Sequence, residues 1–315
     1  MRTAFIETLT ELAREDPRLF LVVGDLGYSV VEGFARSHPE RFLNSGVNEQ
    51  AMTGIAAGLA LCGRRVFTYS IGNFSTLRCL EQLRNDVAYH GLDVCAVAVG
   101  GGFAYGALGA THHLTEDLGV LRSLPEMRVC APGDPLETRE AVRLICAAKG
   151  PFYLRLGKAG EPVLHETAPR LEIGRVLRLR EGRDGLLVST GAMLGTALEA
   201  ARLAEGRGLS VGVWSCPWLK PFDEEAVREA GRARPWIVTL EEGQRHGGLG
   251  SAAAEVLAQS GARARLRILA VPDRFVKVAL GQAAARREFG LDPDSVAAEL
   301  VRCAEATGRP VREPR

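Results

Sequence analysis

The feature that most restricts what this chain can fold into is an alternation. Short apolar runs of strand length stand at residues 19–23, 66–69, 94–99, 128–131 and 152–156, and segments with helical spacing lie between them at 2–14, 49–61, 76–89 and 135–148. Continuous apolar runs are the mark of strands buried on both faces, and helices between them are the mark of parallel α/β construction. A first wound domain is therefore expected over residues 1–157.

From 157 to 184 the sequence turns rich in glycine, proline and charge, broken by Pro162 and Pro169, with one strand expected at 173–179. We read 158–184 as a linker with an opening strand. A second series follows over 185–315, with strands at 186–189, 209–214, 236–240 and 266–271 and helices at 194–205, 224–230 and 250–258. It describes a smaller α/β domain. No repeat of 20 to 50 residues appears, and the tail beyond Gly308 is expected to fray.

At 315 residues the chain has room for two cores, and 46% hydrophobic with 24% charged residues excludes disorder and coiled coil. The formal charge is +1 without blocks of one sign, which favours neither nucleic acid nor a membrane surface. Seven scattered cysteines without a Cys-x-x-Cys read as core residues of a reducing compartment, and the N-terminus lacks the apolar core of a signal peptide. A cytoplasmic protein is expected.

Three segments offer chemistry. Gly46-Val47-Asn48-Glu49-Gln50-Ala51-Met52 opens a helix, and an acid there backed by apolar residues would hold its proton tightly, or would simply complement the helix dipole. Gly109-Ala110-Thr111-His112-His113 ends a glycine-rich stretch in paired histidines, which suits proton transfer to a carbonyl or hydroxyl, or marks a surface loop. Adjacent histidines do not readily face one metal, so no metal site is expected here. Gly248-Leu249-Gly250-Ser251-Ala252-Ala253, with Asp273 beyond, outlines a dinucleotide site, yet Glu241 and Glu242 precede it and too many residues separate it from the strand. Helix packing is the competing reading.

The first two segments carry a family resemblance. The Gly46–Met52 stretch resembles the G-V-R-E-H-x-M segment of transketolases, and Gly109–His113 resembles their G-P-T-H-Q segment. Asn73-Phe74-Ser75 sits where that superfamily places an aromatic over a cofactor pyrimidine, and Leu124 to Val129 followed by Pro132-Gly133-Asp134 is similar to another of its stretches. The resemblance runs in order from about Arg2 to Gly308. It implies thiamine diphosphate as cofactor, with Glu49 bonded to N1′ of the aminopyrimidine, Phe74 on the ring face, Asp25 in the cofactor-binding set, and His112 meeting a substrate oxygen.

What the family has and this chain lacks is the Gly-Asp-Gly segment that holds the diphosphate and a divalent cation. Gly24-Asp25-Leu26 and Gly133-Asp134-Pro135 are the nearest approaches. The resemblance therefore implies a C-terminal half, with Mg2+ or another divalent cation held by an N-terminal diphosphate-binding partner and two copies of each chain in the assembly. It implies transfer of a two-carbon ketol unit from a ketose to an aldehyde.

Substrate contacts implied by the resemblance are Arg2, Ser29, Leu108 and His112, with Arg155 or Lys158 supplying a further charge. Gly100 stands where many transketolases have a phosphate-binding histidine, and Leu108 replaces an aspartate, which points to an unusual acceptor from specialised metabolism. The alternatives are the beta subunit of a 2-oxo acid dehydrogenase's decarboxylating component, which normally has a G-A-Q-H-S-like loop instead, and a 1-deoxyxylulose 5-phosphate synthase, normally one long chain. A catalytically idle regulatory chain is the reading from another class.

Overall fold

The computed structural model describes residues 1–309 and 311; the tail expected to fray lies mostly outside them. The chain opens with helix α1 (Arg2–Glu15), strand β1 (Leu19–Val23), helix α2 (Glu32–Ser37), strand β2 (Phe42–Asn44) and helix α3 (Glu49–Leu61), which Asn48 caps by accepting from the Ala51 N–H at 3.3 Å. Strand β3 (Arg65–Ile71) leads into two short helical turns, α4 (Gly72–Ser75) and α5 (Leu80–Gln82). Then come β4 (Val94–Val99), α6 (Asp117–Ser123), β5 (Arg128–Cys130), α7 (Pro135–Ala147) and β6 (Phe152–Leu156).

The single helix expected at 76–89 is the largest local departure. Thr76 lies at φ −121°, ψ −81°, its hydroxyl turned back to the Gly72 carbonyl at 2.6 Å, and the chain restarts as a 3-10 turn, α5 and a π-wound stretch over Leu83–Ala88. Wide turns of this kind often accompany functional sites. The strand expected at 173–179 forms only as β7 (Leu177–Arg180).

The second half continues with β8 (Gly185–Ser189), α8 (Leu194–Gly206), β9 (Val211–Ser215), β10 (Trp218–Lys220), α9 (Glu224–Ala233), β11 (Trp236–Gln244), α10 (Leu249–Gln259), β12 (Arg265–Val271), α11 (Gln282–Glu288) and α12 (Pro293–Glu305). Two sheets result, in the orders β10-β5-β6-β4-β3-β1-β2 and β12-β11-β8-β9-β7. Every described strand pairing is parallel except the two edge pairs β10 with β5 and β7 with β9. The mostly parallel two-sheet α/β architecture read from the sequence is what forms. Missed by the reading, β10 leaves the second half to extend the first sheet, so the halves share a sheet edge as well as a packed seam.

The strand order reverses between β1 and β3 in the first sheet and between β8 and β11 in the second. Crevices at such reversals, beyond the carboxyl ends of the strands, are where wound α/β sheets receive ligands.

Candidate functional site

The first crevice collects the loops that follow β1, β2, β3 and β4. Gly24 follows β1 directly and lies beside the α3 carboxylate: a Cβ at Gly24 would stand 3.2 Å from Glu49 Cγ. Beyond it, Asp25 and Ser29 are held at φ +54° and +61°, a left-handed backbone that non-glycine residues rarely adopt and that clusters at functional sites. Asn44 ties this loop to the Gly46 turn, donating to Asp25 Oδ1 at 2.8 Å and accepting from the Asp25 and Gly46 N–H groups at 3.1 and 2.9 Å.

Glu49, 1% exposed, sits at the floor. Its Oε1 accepts from the Ser70 hydroxyl at 3.4 Å and its Oε2 from Arg78 Nη1 at 2.8 Å. This corrects the apolar setting expected for Glu49, because a guanidinium is its nearest partner. Phe74, on α4, carries the Arg78 guanidinium 4.6 Å from its ring centre, with the His112 ring edge-on at 5.5 Å. Asn73 locks that arrangement by donating to the Thr111 and His113 carbonyls at 3.0 and 2.8 Å. Glu49, Phe74, His112 and the Asp25 loop thus share one crevice, with Arg78 and Asn73 as members the sequence reading missed. A side chain amide in the loop after a strand was the available signal for Asn73.

The paired histidines part company. His112 is partly open, with Nδ1 3.0 Å from the Thr111 hydroxyl, whereas His113 is buried, its Nε2 3.0 Å from the Gly106 carbonyl and its ring edge-on to Phe103.

The expected substrate residues divide. Arg2 and Ser29 line one groove of about 420 Å³, where the Arg2 Nε is buried without a hydrogen-bond partner. Leu108 is 60% exposed. Lys158 instead lines a separate cavity of about 470 Å³ with Arg286 and Arg287. Arg155 is corrected outright: it is 5% exposed, paired with Asp117 at 2.9 Å, and donates to the Leu114 and Glu242 carbonyls at 2.6 and 2.9 Å. Its charge is consumed inside the protein. At Gly100, φ +97°, a Cβ would fall 2.3 Å from the Tyr105 ring, so Tyr105 fills the space that a side chain at position 100 would need.

The second crevice rejects the dinucleotide reading. Glu241 accepts from the Leu249 and Gly250 N–H groups at 2.9 and 2.8 Å, so a carboxylate of the protein already takes the α10 N-terminus. Gly250 is instead a packing glycine, whose Cβ would strike Ile268 at 2.4 Å.

The chain thus holds two wound domains in tandem, the first with a buried acid, an aromatic and a histidine gathered over its strand reversal. Residues 1–160 match the family model described as "Transketolase, pyrimidine binding domain" and 174–296 the one described as "Transketolase, C-terminal domain", and the chain belongs to the transketolase family. It is 35% identical to a "Putative transketolase C-terminal section" of Methanocaldococcus jannaschii, over 96% of this chain and 95% of that one. It is 37% identical to one of the subunits of an apulose-4-phosphate transketolase of Phocaeicola vulgatus, over 87% of this chain and 88% of that one. A solved structure described as "Split gene transketolase, inactive beta4 tetramer" superposes with a TM-score of 0.87 at 35% identity, covering 96% of this chain and 97% of that one.

Proposed function

We propose that this chain is the C-terminal subunit of a split, thiamine diphosphate-dependent transketolase that moves a two-carbon ketol unit from a ketose to an aldehyde acceptor. The observation that carries the reading is the convergence of Glu49, Phe74 and His112 in the crevice after β1 and β3. On this reading residues 1–157 are the pyrimidine-binding domain, 158–184 the linker and opening strand, and 185–315 the C-terminal domain.

The crevice fits the cofactor's pyrimidine end. A flat, nitrogen-bearing group already lies over Phe74 and bonds Glu49, in the form of the Arg78 guanidinium, so the space accepts such a plane. When bound, thiamine diphosphate supplies the carbanion chemistry. Glu49 holds or gives up a proton at N1′, Phe74 supports the ring face, the Asp25 loop shapes the rim, and His112 exchanges a proton with the substrate oxygen.

The diphosphate and its Mg2+ belong to a partner in this proposal, an N-terminal transketolase chain joined in an alpha2beta2 heterotetramer. Among the described residues no three His, Cys, Asp or Glu side chains gather as metal ligands. Val47, Tyr28 and Leu108 stand exposed around the crevice, apolar area of the kind a partner covers. A relative described as an inactive beta4 tetramer supports the need for a second chain. A cytoplasmic setting fits seven free thiols, and no helix among the described residues is long and apolar enough to cross a membrane.

For the acceptor we keep the reading from Leu108 and Gly100: an unusual aldehyde, recognised through Arg2 and Ser29, in place of an ordinary sugar phosphate. The test of the whole is calorimetric titration with thiamine diphosphate and magnesium. The isolated chain is expected to bind weakly and the chain joined to its N-terminal partner tightly; tight binding by the isolated chain overturns the split-site reading.

A further inference from the structure

Arg78 makes two contacts at once. Its Nη1 donates to Glu49 Oε2 at 2.8 Å, and its guanidinium carbon lies 4.6 Å from the centre of the Phe74 ring. A planar, delocalised, N–H-bearing group therefore rests on an aromatic side chain while bonded to a buried carboxylate. Those are the two contacts the proposed function assigns to the aminopyrimidine ring. Two planar groups cannot fill one space against the same ring and the same carboxylate oxygen.

We propose that Arg78 is a placeholder for the cofactor's pyrimidine ring, satisfying Glu49 and Phe74 until the cofactor displaces it. The inference rests on the reading of Glu49 and Phe74 as the pyrimidine site. Asymmetry of burial makes the exchange feasible. Glu49 is enclosed, but the Arg78 side chain is 46% exposed and gains water as it leaves. Its backbone is anchored independently, since the Arg78 carbonyl accepts from Gln50 Nε2 on α3 at 3.2 Å, so the side chain swings without moving the chain. The broken helix around Thr76 is what aims it inward.

Energetics couple departure to arrival. Glu49 is covered by Ser70 and Arg78, and removing the guanidinium alone would strand a buried carboxylate, which is strongly disfavoured. Arg78 therefore stays in place in most cofactor-free molecules, the Arg78-out form being a minor population, and the site keeps its shape meanwhile. Cofactor affinity is then lowered by the fraction of molecules in which Arg78 is out; a fraction of about one to ten per cent weakens apparent binding roughly 10- to 100-fold.

The experiment uses the chain copurified with its N-terminal partner, titrated calorimetrically with thiamine diphosphate and magnesium as wild type, Arg78→Met and Arg78→Lys. Arg78→Met is expected to bind about 10-fold more tightly or better, and Arg78→Lys, which keeps the charge but loses the plane, to fall between it and wild type. Unchanged or weaker binding by Arg78→Met overturns the placeholder, since it makes Arg78 a bystander or a cofactor contact. Should that variant not assemble, Arg78→Lys alone decides by the direction of its change. Failure of the site reading looks different: the wild-type complex would bind no cofactor, or Glu49→Gln would bind and turn over as wild type does.

Discussion

The two sheets each have a crevice where the strand order reverses, and they are finished in opposite ways. Over the first, Glu49 is buried but its partner Arg78 reaches it from solvent, and Val47, Tyr28 and Leu108 stand bare around the rim. Over the second, Glu241 caps α10, and Glu242 takes a bidentate bond from Arg286 at 2.9 and 2.8 Å, so the acids are answered from within the fold. The first domain then closes it: Arg155 donates to the Glu242 carbonyl, and the Gln244 N–H donates to the Thr115 carbonyl at 2.7 Å. A buried carboxylate with a half-exposed cation is exchangeable. One answered by backbone N–H groups, as Glu241 is, or by a mostly buried guanidinium in a two-pronged bond, as Glu242 is, is architecture.

The sharpest way to break this comparison is to neutralise the two clusters and ask which loss appears. Glu49→Gln keeps the shape and can still accept from Arg78, so the fold should survive while turnover of the assembled enzyme falls about 10²- to 10⁴-fold. Hydrogen exchange at C2 of the bound cofactor reads the step directly, and an unchanged exchange rate removes Glu49 from the mechanism.

Next in size is Arg155→Met, which leaves Asp117 without its ion-pair partner and takes one donor each from the Leu114 and Glu242 carbonyls, the first of which keeps the Gly102 N–H at 2.8 Å. Breaking such a sealed pair costs about 3 to 5 kcal/mol. Denaturant unfolding should show that loss, with kcat and KM of the folded complex little changed. If instead KM for an anionic substrate rose while stability held, the expectation from the sequence would be right and the architectural role wrong.

How much of this was legible in the sequence follows from where the partners lie. Glu49, Phe74 and His112 stand in short segments with recognisable order, and each opens or follows an element whose ends the apolar pattern located. Arg78 was hidden because residues 76–89 have helical spacing, which does not show that the Thr76 hydroxyl turns back to the Gly72 carbonyl and the chain restarts there, with the guanidinium turned toward Glu49. Arg155 was misread although a signal was present. It lies in Phe152-Tyr153-Leu154-Arg155-Leu156, an otherwise apolar strand run, and a charge in a central buried strand requires a buried partner. That partner, Asp117, is 38 residues away and on α6, beyond the reach of local pattern. The same distance hid β10, three residues that pair with β5 nearly ninety positions earlier in the chain.

The smallest effect tests whether the second crevice is as sealed as its geometry says. Burial pushes the Glu241 carboxyl up to about 7, despite two backbone N–H donors and the Arg155 charge nearby, with Asp117 adding to the rise. The folded state therefore binds this proton more tightly than the unfolded chain. Its contribution to stability is full below the unfolded value near 4.5 and is lost as pH rises through about 7. Over that window the wild type should lose about 3 kcal/mol relative to Glu241→Gln, whose amide oxygen still accepts from one of the two α10 N–H groups but which does not titrate. Part of the slope should persist in the variant, because burial also raises the Asp117 carboxyl. Melting temperatures of both proteins measured from about pH 4.5 to 8 decide it. Curves that converge toward low pH and separate above neutrality place Glu241 in a dry seam, and parallel curves would show that water reaches the second crevice as it does the first.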